Sequence, residues 1–185
     1  MVIGVPREVK GQEYRVALLP SAAYQLCRRG HEVIVEYGAG AGAGYADADY
    51  QQAGAKLVRD YAEVFDRAQM IVKVKEPQPS EYELLKPGTI LFTYLHLAAS
   101  KSLTEALMKS GVTGLAYETI EVNRRLPLLE PMSEIAGRMS ILSSVRNAKN
   151  SALQSSRVGR VAIMAETGGM ESFPCALMVR RLQRD

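Results

Sequence analysis

Three residues of this chain carry side chains that could handle a small anion, and each follows a short apolar, β-prone run. Arg15 comes after Val2-Ile3-Gly4-Val5-Pro6 and a polar loop, Lys75 follows Ile71-Val72-Lys73-Val74, and His96 closes Leu91-Phe92-Thr93-Tyr94-Leu95. A guanidinium grips a carboxylate through two parallel N–H bonds, an ammonium adds a point charge, and an imidazole can carry a proton near neutral pH. If the three runs are strands of one open α/β sheet, these side chains emerge beyond the carboxyl ends of the strands, where such sheets keep their ligands. Arg, Lys and His converging on one crevice would make a small-carboxylate site. Taken singly, each has a plainer reading: Arg15 as a solvated surface charge, Lys75 as half of a strand-end ion pair with Glu76, His96 as a satisfied core imidazole.

The elements that must position these residues alternate along the chain. Pro6 ends the first strand, and Pro20 with Ser21 suits a helix start, with Ala22, Ala23, Leu26 and Cys27 on an apolar face that Gly30 closes. His31 to Tyr37 reads as a strand, with Val33 and Val35 on one face and Ile34 on the other. Asp47 or Asp49 can cap a helix running to Ala53, Lys56-Leu57-Val58 is a short strand, and Asp60 caps Tyr61 to Ala68. Further strands are expected at Met70 to Val74, Thr89 to Tyr94 and Val112 to Tyr117, and helices at Glu81 to Leu85 and Ser102 to Met108. The fold class is therefore α/β, a mainly parallel sheet with helices on both faces.

The run Gly38-Ala39-Gly40-Ala41-Gly42-Ala43-Gly44 follows a strand, as a phosphate-binding loop would. A dinucleotide fingerprint needs GxGxxG opening directly into a helix, so that backbone N–H groups meet the pyrophosphate. Strict alternation with alanine satisfies no such frame, and Tyr45-Ala46-Asp47 precedes any helix, so the pattern favours a flexible or tightly turned loop over a cofactor loop.

Composition excludes several classes. Hydrophobic content of 47% and charged content of 23% are those of an ordinary globular chain. No apolar run approaches a membrane span and the start lacks signal-peptide architecture, so a cytoplasmic protein is expected. Cys27 and Cys175 stand far apart outside any CxxC, which gives neither a disulfide framework nor a metal site. A net charge of +3 without a basic, aromatic-interleaved stripe gives no case for nucleic acid.

Beyond these patterns, GVPRE at Gly4 to Glu8, Glu13-Tyr14-Arg15-Val16-Ala17, the glycine run, VKVKEP at Val72 to Pro77, LFTYLHLAAS at Leu91 to Ser100, AYET at Ala116 to Thr119 and LPLLEPMSEIAGRMS at Leu126 to Ser140 stand in an order that resembles the alanine dehydrogenase family. The transhydrogenase α subunit shares the outline. The resemblance covers roughly residues 1 to 140 and implies the substrate domain of a two-domain dehydrogenase that interconverts L-alanine and pyruvate with ammonia and NAD. It implies that Arg15 and Lys75 hold the pyruvate carboxylate and carbonyl, that His96 is the acid/base group, and that Met132 and Ser133 lie beside the nicotinamide. Ser133 also reads as a helix N-cap, with Ala136 and Met139 facing inward. The glycine run then belongs to the substrate domain, and a homo-oligomer or a complementing downstream chain is an expected partner.

After Ser140 the resemblance stops. The family's nucleotide-binding domain, with its own glycine fingerprint, is expected to be missing, and the serine- and arginine-rich segment 141–185 reads as a disordered or loosely helical tail, possible product of an out-of-frame end, with Gly168-Gly169 as its clearest turn. Two function classes follow: the substrate half of an enzyme, inactive alone, or a 2-oxo acid binding fragment or gene remnant without turnover.

Overall fold

In the computed structural model, residues 1–140 are described throughout, together with the strand backbones of Ala162–Met164 and Ala176–Met178. The chain divides into two units, Met1–Ile120 and Glu121–Asp185. The first is an open sheet. Its elements run β1 (Val2–Val5), α1 (Pro20–Arg28), β2 (Glu32–Glu36), α2 (Asp47–Gln52), β3 (Lys56–Val58), α3 (Tyr61–Arg67), β4 (Met70–Val72), β5 (Ile90–Thr93), α4 (Lys101–Ser110) and β6 (Thr113–Ala116). All pairings are parallel, in the order β3-β2-β1-β4-β5-β6. The order reverses between β1 and β4, which is the switch point where doubly wound sheets open a ligand crevice.

Alternation along the strands builds two cores. Val33, Val35 and Val5 face α1 and α2, packing with Ala23, Tyr50 and Ala53. Ile34, Ile71 and Leu91 face the other way, against Val64, Phe65 and Ala68 of the α3 segment. Both faces are thus covered, and the expected α/β architecture is the observed one. Gly4 marks where α3 crosses β1, because a Cβ there would stand 2.7 Å from that of Ala68 and 2.9 Å from Val64 Cγ1. Asp60 caps α3 by accepting from the Ala62 amide at 3.0 Å, as expected. The helix expected at Glu81 to Leu85 is instead a 3-10 helix, Pro79–Leu84. Its Glu81 is drawn inward rather than left on a solvent face.

That inward turn completes a buried charge cluster beneath the switch point. Lys73, directly after β4, is fully buried; its Nζ lies 2.8 Å from Glu81 Oε1 and 3.4 Å from Glu8 Oε2. The Tyr61 hydroxyl donates to the same Glu81 oxygen, and the Gln78 amide donates to Glu81 Oε2 at 2.7 Å. Burial pushes the Glu8 carboxyl up, against the opposing pull of Lys73 and the Val74 amide.

The second unit is described over residues 121–140 and the antiparallel pair of strands, β7 (Ala162–Met164) with β8 (Ala176–Met178). Val122 and Arg125 exchange both backbone hydrogen bonds around Asn123 and Arg124, which have φ of 52° and 60°. Residues 130–140 are helical. The rest of the segment expected to form an atypical tail, with Cys175 and the Gly168-Gly169 turn, lies outside the described residues.

Lys73→Met should destabilise the chain by about 3 kcal/mol at neutral pH, because two buried carboxylates lose their cation. A buried carboxyl with a raised folded-state pKa contributes stability that is complete below its unfolded value of about 4.3 and is lost as pH rises through the folded value. Removing Lys73 takes away a lowering influence on Glu8, so the deficit of the variant should grow from about pH 4.3 towards neutrality. Urea unfolding across that range checks this; a deficit independent of pH would contradict it.

Candidate functional site

Lys75 and His96 follow adjacent strands, one residue out of register with each other. Val72 of β4 pairs with Phe92 of β5, and each functional side chain stands three residues past its own strand end, at Val72 and Thr93. The strands do not simply stop there. Lys73 N donates to Phe92 O at 3.0 Å, Tyr94 N reaches Val74 O at 3.4 Å, and the buried Thr93 hydroxyl donates to Lys75 O at 2.9 Å. This lacing carries both chains to the rim before they diverge.

Beyond the rim, side-chain carboxylates take over from the ladder. Glu8 accepts the amides of Val74 and Lys75 at 2.6 and 3.4 Å. Glu118 accepts those of Leu95 and His96 at 3.0 and 2.7 Å. His96 is exposed, with φ 47° and ψ 42°, a left-handed conformation that costs an L-residue about 1 kcal/mol or more. Its ring stacks beside Tyr94 at 6.1 Å between centroids, and Tyr94 meets Tyr117 edge-on at 4.9 Å. The core-histidine alternative therefore does not hold. The strand-end ion pair proposed for Lys75 does not form either: Glu76 pairs with Lys10 at 2.5 Å, and among the described residues the Lys75 ammonium has no ion-pair partner.

Arg15 is carried by the long β1–α1 loop, which α2 and the glycine turn hold in place. The hydroxyl of buried Tyr50 donates to Leu18 O at 2.8 Å, and burial pushes that phenol up to about 12. Gly42 lies against Tyr14, where an added Cβ would stand 2.7 Å from the Tyr14 carbonyl oxygen. The glycine run is thus a packed turn, with Asp47 accepting from the Gly38 amide at 2.8 Å, rather than a loop opening into a helix N-terminus. Glu13 fixes the guanidinium: Arg15 Nε donates to its Oε1 at 2.8 Å and Nη2 to its Oε2 at 2.6 Å. That fork holds the Glu13 carboxyl below the usual carboxylate range. The Lys75 charge also acts on Glu13, and Arg15 feels Tyr94 and Glu8, so the Arg15 loop and the rim of β4 and β5 share one electrostatic field.

Met132 and Ser133 belong to the second unit. Ser133 is not a cap, because residues 130–140 are already helical and its amide donates to Leu129 O at 3.0 Å. Ala136 and Met139 are exposed rather than inward. The start of this helix is instead organised by Glu130, which pairs with Arg125 through Oε1 at 3.2 Å and Oε2 at 2.5 Å and accepts the Leu126 amide at 3.3 Å.

Sequence reasoning overlooked Lys73, Glu8, Glu13, Glu81 and Glu118. One signal was available for Lys73: period-two alternation in Val72-Lys73-Val74-Lys75 puts Lys73 and Lys75 on the same side, so one of them had to lie deeper in the sheet. Glu8 and Glu13 act from a loop and Glu81 and Glu118 from short 3-10 turns, where periodicity is silent. The first unit also shows no dinucleotide cradle. Pro6-Arg7-Glu8 stands where a glycine turn would follow the first strand, and Glu36, at the end of β2, already accepts the Arg7 amide at 2.7 Å. Among the described residues no group of His, Cys, Asp and Glu could hold a metal ion, and no helix is long and apolar enough to cross a membrane.

Residues 4–136 match the family model described as alanine dehydrogenase/PNT, N-terminal domain. The alanine dehydrogenase of Halomonas elongata is 56% identical over 142 residues, 76% of this chain and 38% of that protein. That of Bacillus subtilis is 54% identical over 140 residues, 76% of this chain and 37% of its own length. A solved L-alanine dehydrogenase superposes with a TM-score of 0.77 at 53% identity, covering 82% of this chain and 42% of that one. A transhydrogenase from Sinorhizobium meliloti, at 24% identity and a TM-score of 0.71, shares the fold. The chain spans well under half the length of these relatives, and it belongs to the alanine dehydrogenase/PNT family, matching its N-terminal domain.

Proposed function

We propose that this chain is the substrate-binding half of an alanine dehydrogenase, acting on L-alanine and pyruvate, with its substrate domain over residues 1–140. The observation that carries the reading is the placement of Lys75 and His96 three residues past the ends of the neighbouring strands β4 and β5, with His96 held exposed in a conformation its backbone disfavours. Strain of that kind persists where a side chain is needed in one direction. In this reading Arg15 takes the substrate carboxylate, Lys75 holds the carboxylate and the carbonyl oxygen, and His96 gives and takes the proton at that oxygen. Two cations select a small anionic 2-oxo acid, and the ring of Tyr94 limits the room beside the imidazole.

Oxidation and reduction of such a substrate call for a nicotinamide cofactor, NAD by family. The first unit offers it no fingerprint, so NAD belongs with a nucleotide-binding part supplied by further sequence or by another chain. Met132 and Ser133 are the residues we assign beside the nicotinamide. NADH oxidation with pyruvate and ammonia, by the purified chain with and without the downstream gene product, tests the whole proposal. Turnover only with the complement is expected; none in either case leaves a 2-oxo acid binding fragment, and none together with no pyruvate binding removes the proposal.

Two substitution sets bear on the roles. Arg15→Lys and Lys75→Ala should each weaken pyruvate binding about tenfold or more, since each removes a charge-assisted bond or its fork geometry. Calorimetric titration reads this, and unchanged affinity in both would remove them from the site. His96→Gly should be more stable than His96→Ala by about 1 kcal/mol, because only glycine adopts positive φ without strain. Equal denaturation midpoints for the two would show that residue 96 carries no such strain.

A further inference from the structure

Glu8 and Glu118 do the same thing at neighbouring strand ends. Glu8 stands three residues past the end of β1, beside β4, and its buried carboxylate accepts the amides of Val74 and Lys75. Glu118 stands two residues past the end of β6, beside β5, and accepts the amides of Leu95 and His96. In each case the second amide belongs to a residue of the proposed site, and the carboxylate comes from the adjoining parallel strand. The need is physical. Where a parallel ladder ends, successive N–H groups lose their carbonyl partners, and the partly buried amides of Val74, Lys75 and Leu95 would be costly to leave unpaired. A carboxylate can serve two donors at once and binds each more strongly than a neutral acceptor would. At His96 the bond also opposes the relaxation of a left-handed residue towards an extended one.

We propose that Glu8 and Glu118 are positioning residues of the small-carboxylate site, fixing the directions in which Lys75 and His96 leave the sheet. The proposal rests on the assignment of those two residues to the site; the backbone role itself is independent of it. Neither glutamate needs to touch substrate.

Nuclear magnetic resonance on the full 185-residue chain tests this. The sequence has two histidines, so His31→Gln leaves the His96 ring signals alone in their region. In Glu118→Ala, the Leu95 and His96 amides should lose exchange protection while those of β1 and β2 keep theirs. The His96 ring should lose the ring-current shift imposed by Tyr94, and pyruvate should bind about tenfold more weakly. Glu118→Gln, which keeps an acceptor in place, should restore most of both. Should Glu118→Ala fail to fold, Glu118→Asp, one methylene too short to reach both amides, is expected to show the same local losses. Glu8→Asp should likewise free the Val74 amide, and Glu8→Gln should retain it. Wild-type ring shifts and protection in a folded Glu118→Ala, or in Glu118→Asp a loss of protection spread uniformly across the sheet, would overturn the proposal. If the unmodified chain binds no pyruvate, the site assignment fails, while the ring and exchange data still decide the backbone role.

Discussion

A single ammonium under the sheet governs the region where the chemistry is expected. Lys73 cannot be buried unless carboxylates accompany it, and the two that do arrive from opposite directions in the chain, Glu8 from the loop after β1 and Glu81 from the 3-10 helix before β5. The cost of desolvating one ion thus dictates the course of two loops. Tyr61 extends the arrangement into α3 through Glu81, so the crossover helix, the switch point and the rim are held by one electrostatic knot rather than by apolar contact alone. Such a cluster contributes little net stability compared with an apolar core of the same shape, but it rewards only one arrangement of its members.

The same economy explains why the candidate site lies where it does. Between paired strands the amides meet the neighbour's carbonyls; at the carboxyl ends that supply runs out, and side chains must replace it. Glu8 replaces it for β4, Glu118 for β5 and Thr93 bridges the two. A place where the backbone depends on side chains is one where direction can be set residue by residue. Lys75 and His96 exploit it, and Arg15 approaches on a loop that owes its position to Tyr50 and Gly42 rather than to any strand.

Much of the fold was legible because it rests on period. Val33 and Val35 against Ile34, the proline at the start of α1 and the Asp60 cap all read directly from residue types and spacing. A helix was expected near Glu81, but its 3-10 form and the inward Glu81 were not, because no local rule anticipates a partner eight positions back. Ser133 was misread as a cap because Glu130, through Arg125 and the Leu126 amide, starts the helix earlier. Arg15, Lys75 and His96 could be nominated from strand ends; the acidic residues that hold them could not, because each contact spans from two to about seventy positions along the chain, and a periodic pattern carries no such information.

The alternating glycines and alanines between β2 and α2 look like the least informative stretch of the chain. Gly38 and Gly44 hold φ of 75° and 85°, Gly40 and Gly42 leave no space for a Cβ, and Ala39 is buried between them. Compositional simplicity and freedom to vary are therefore opposite properties here. A tolerance map of the chain would find the four glycines and Ala39 of this two-letter stretch among its most restrictive positions, and would find the restriction transmitted, through the Tyr14 carbonyl, to the residue next to it.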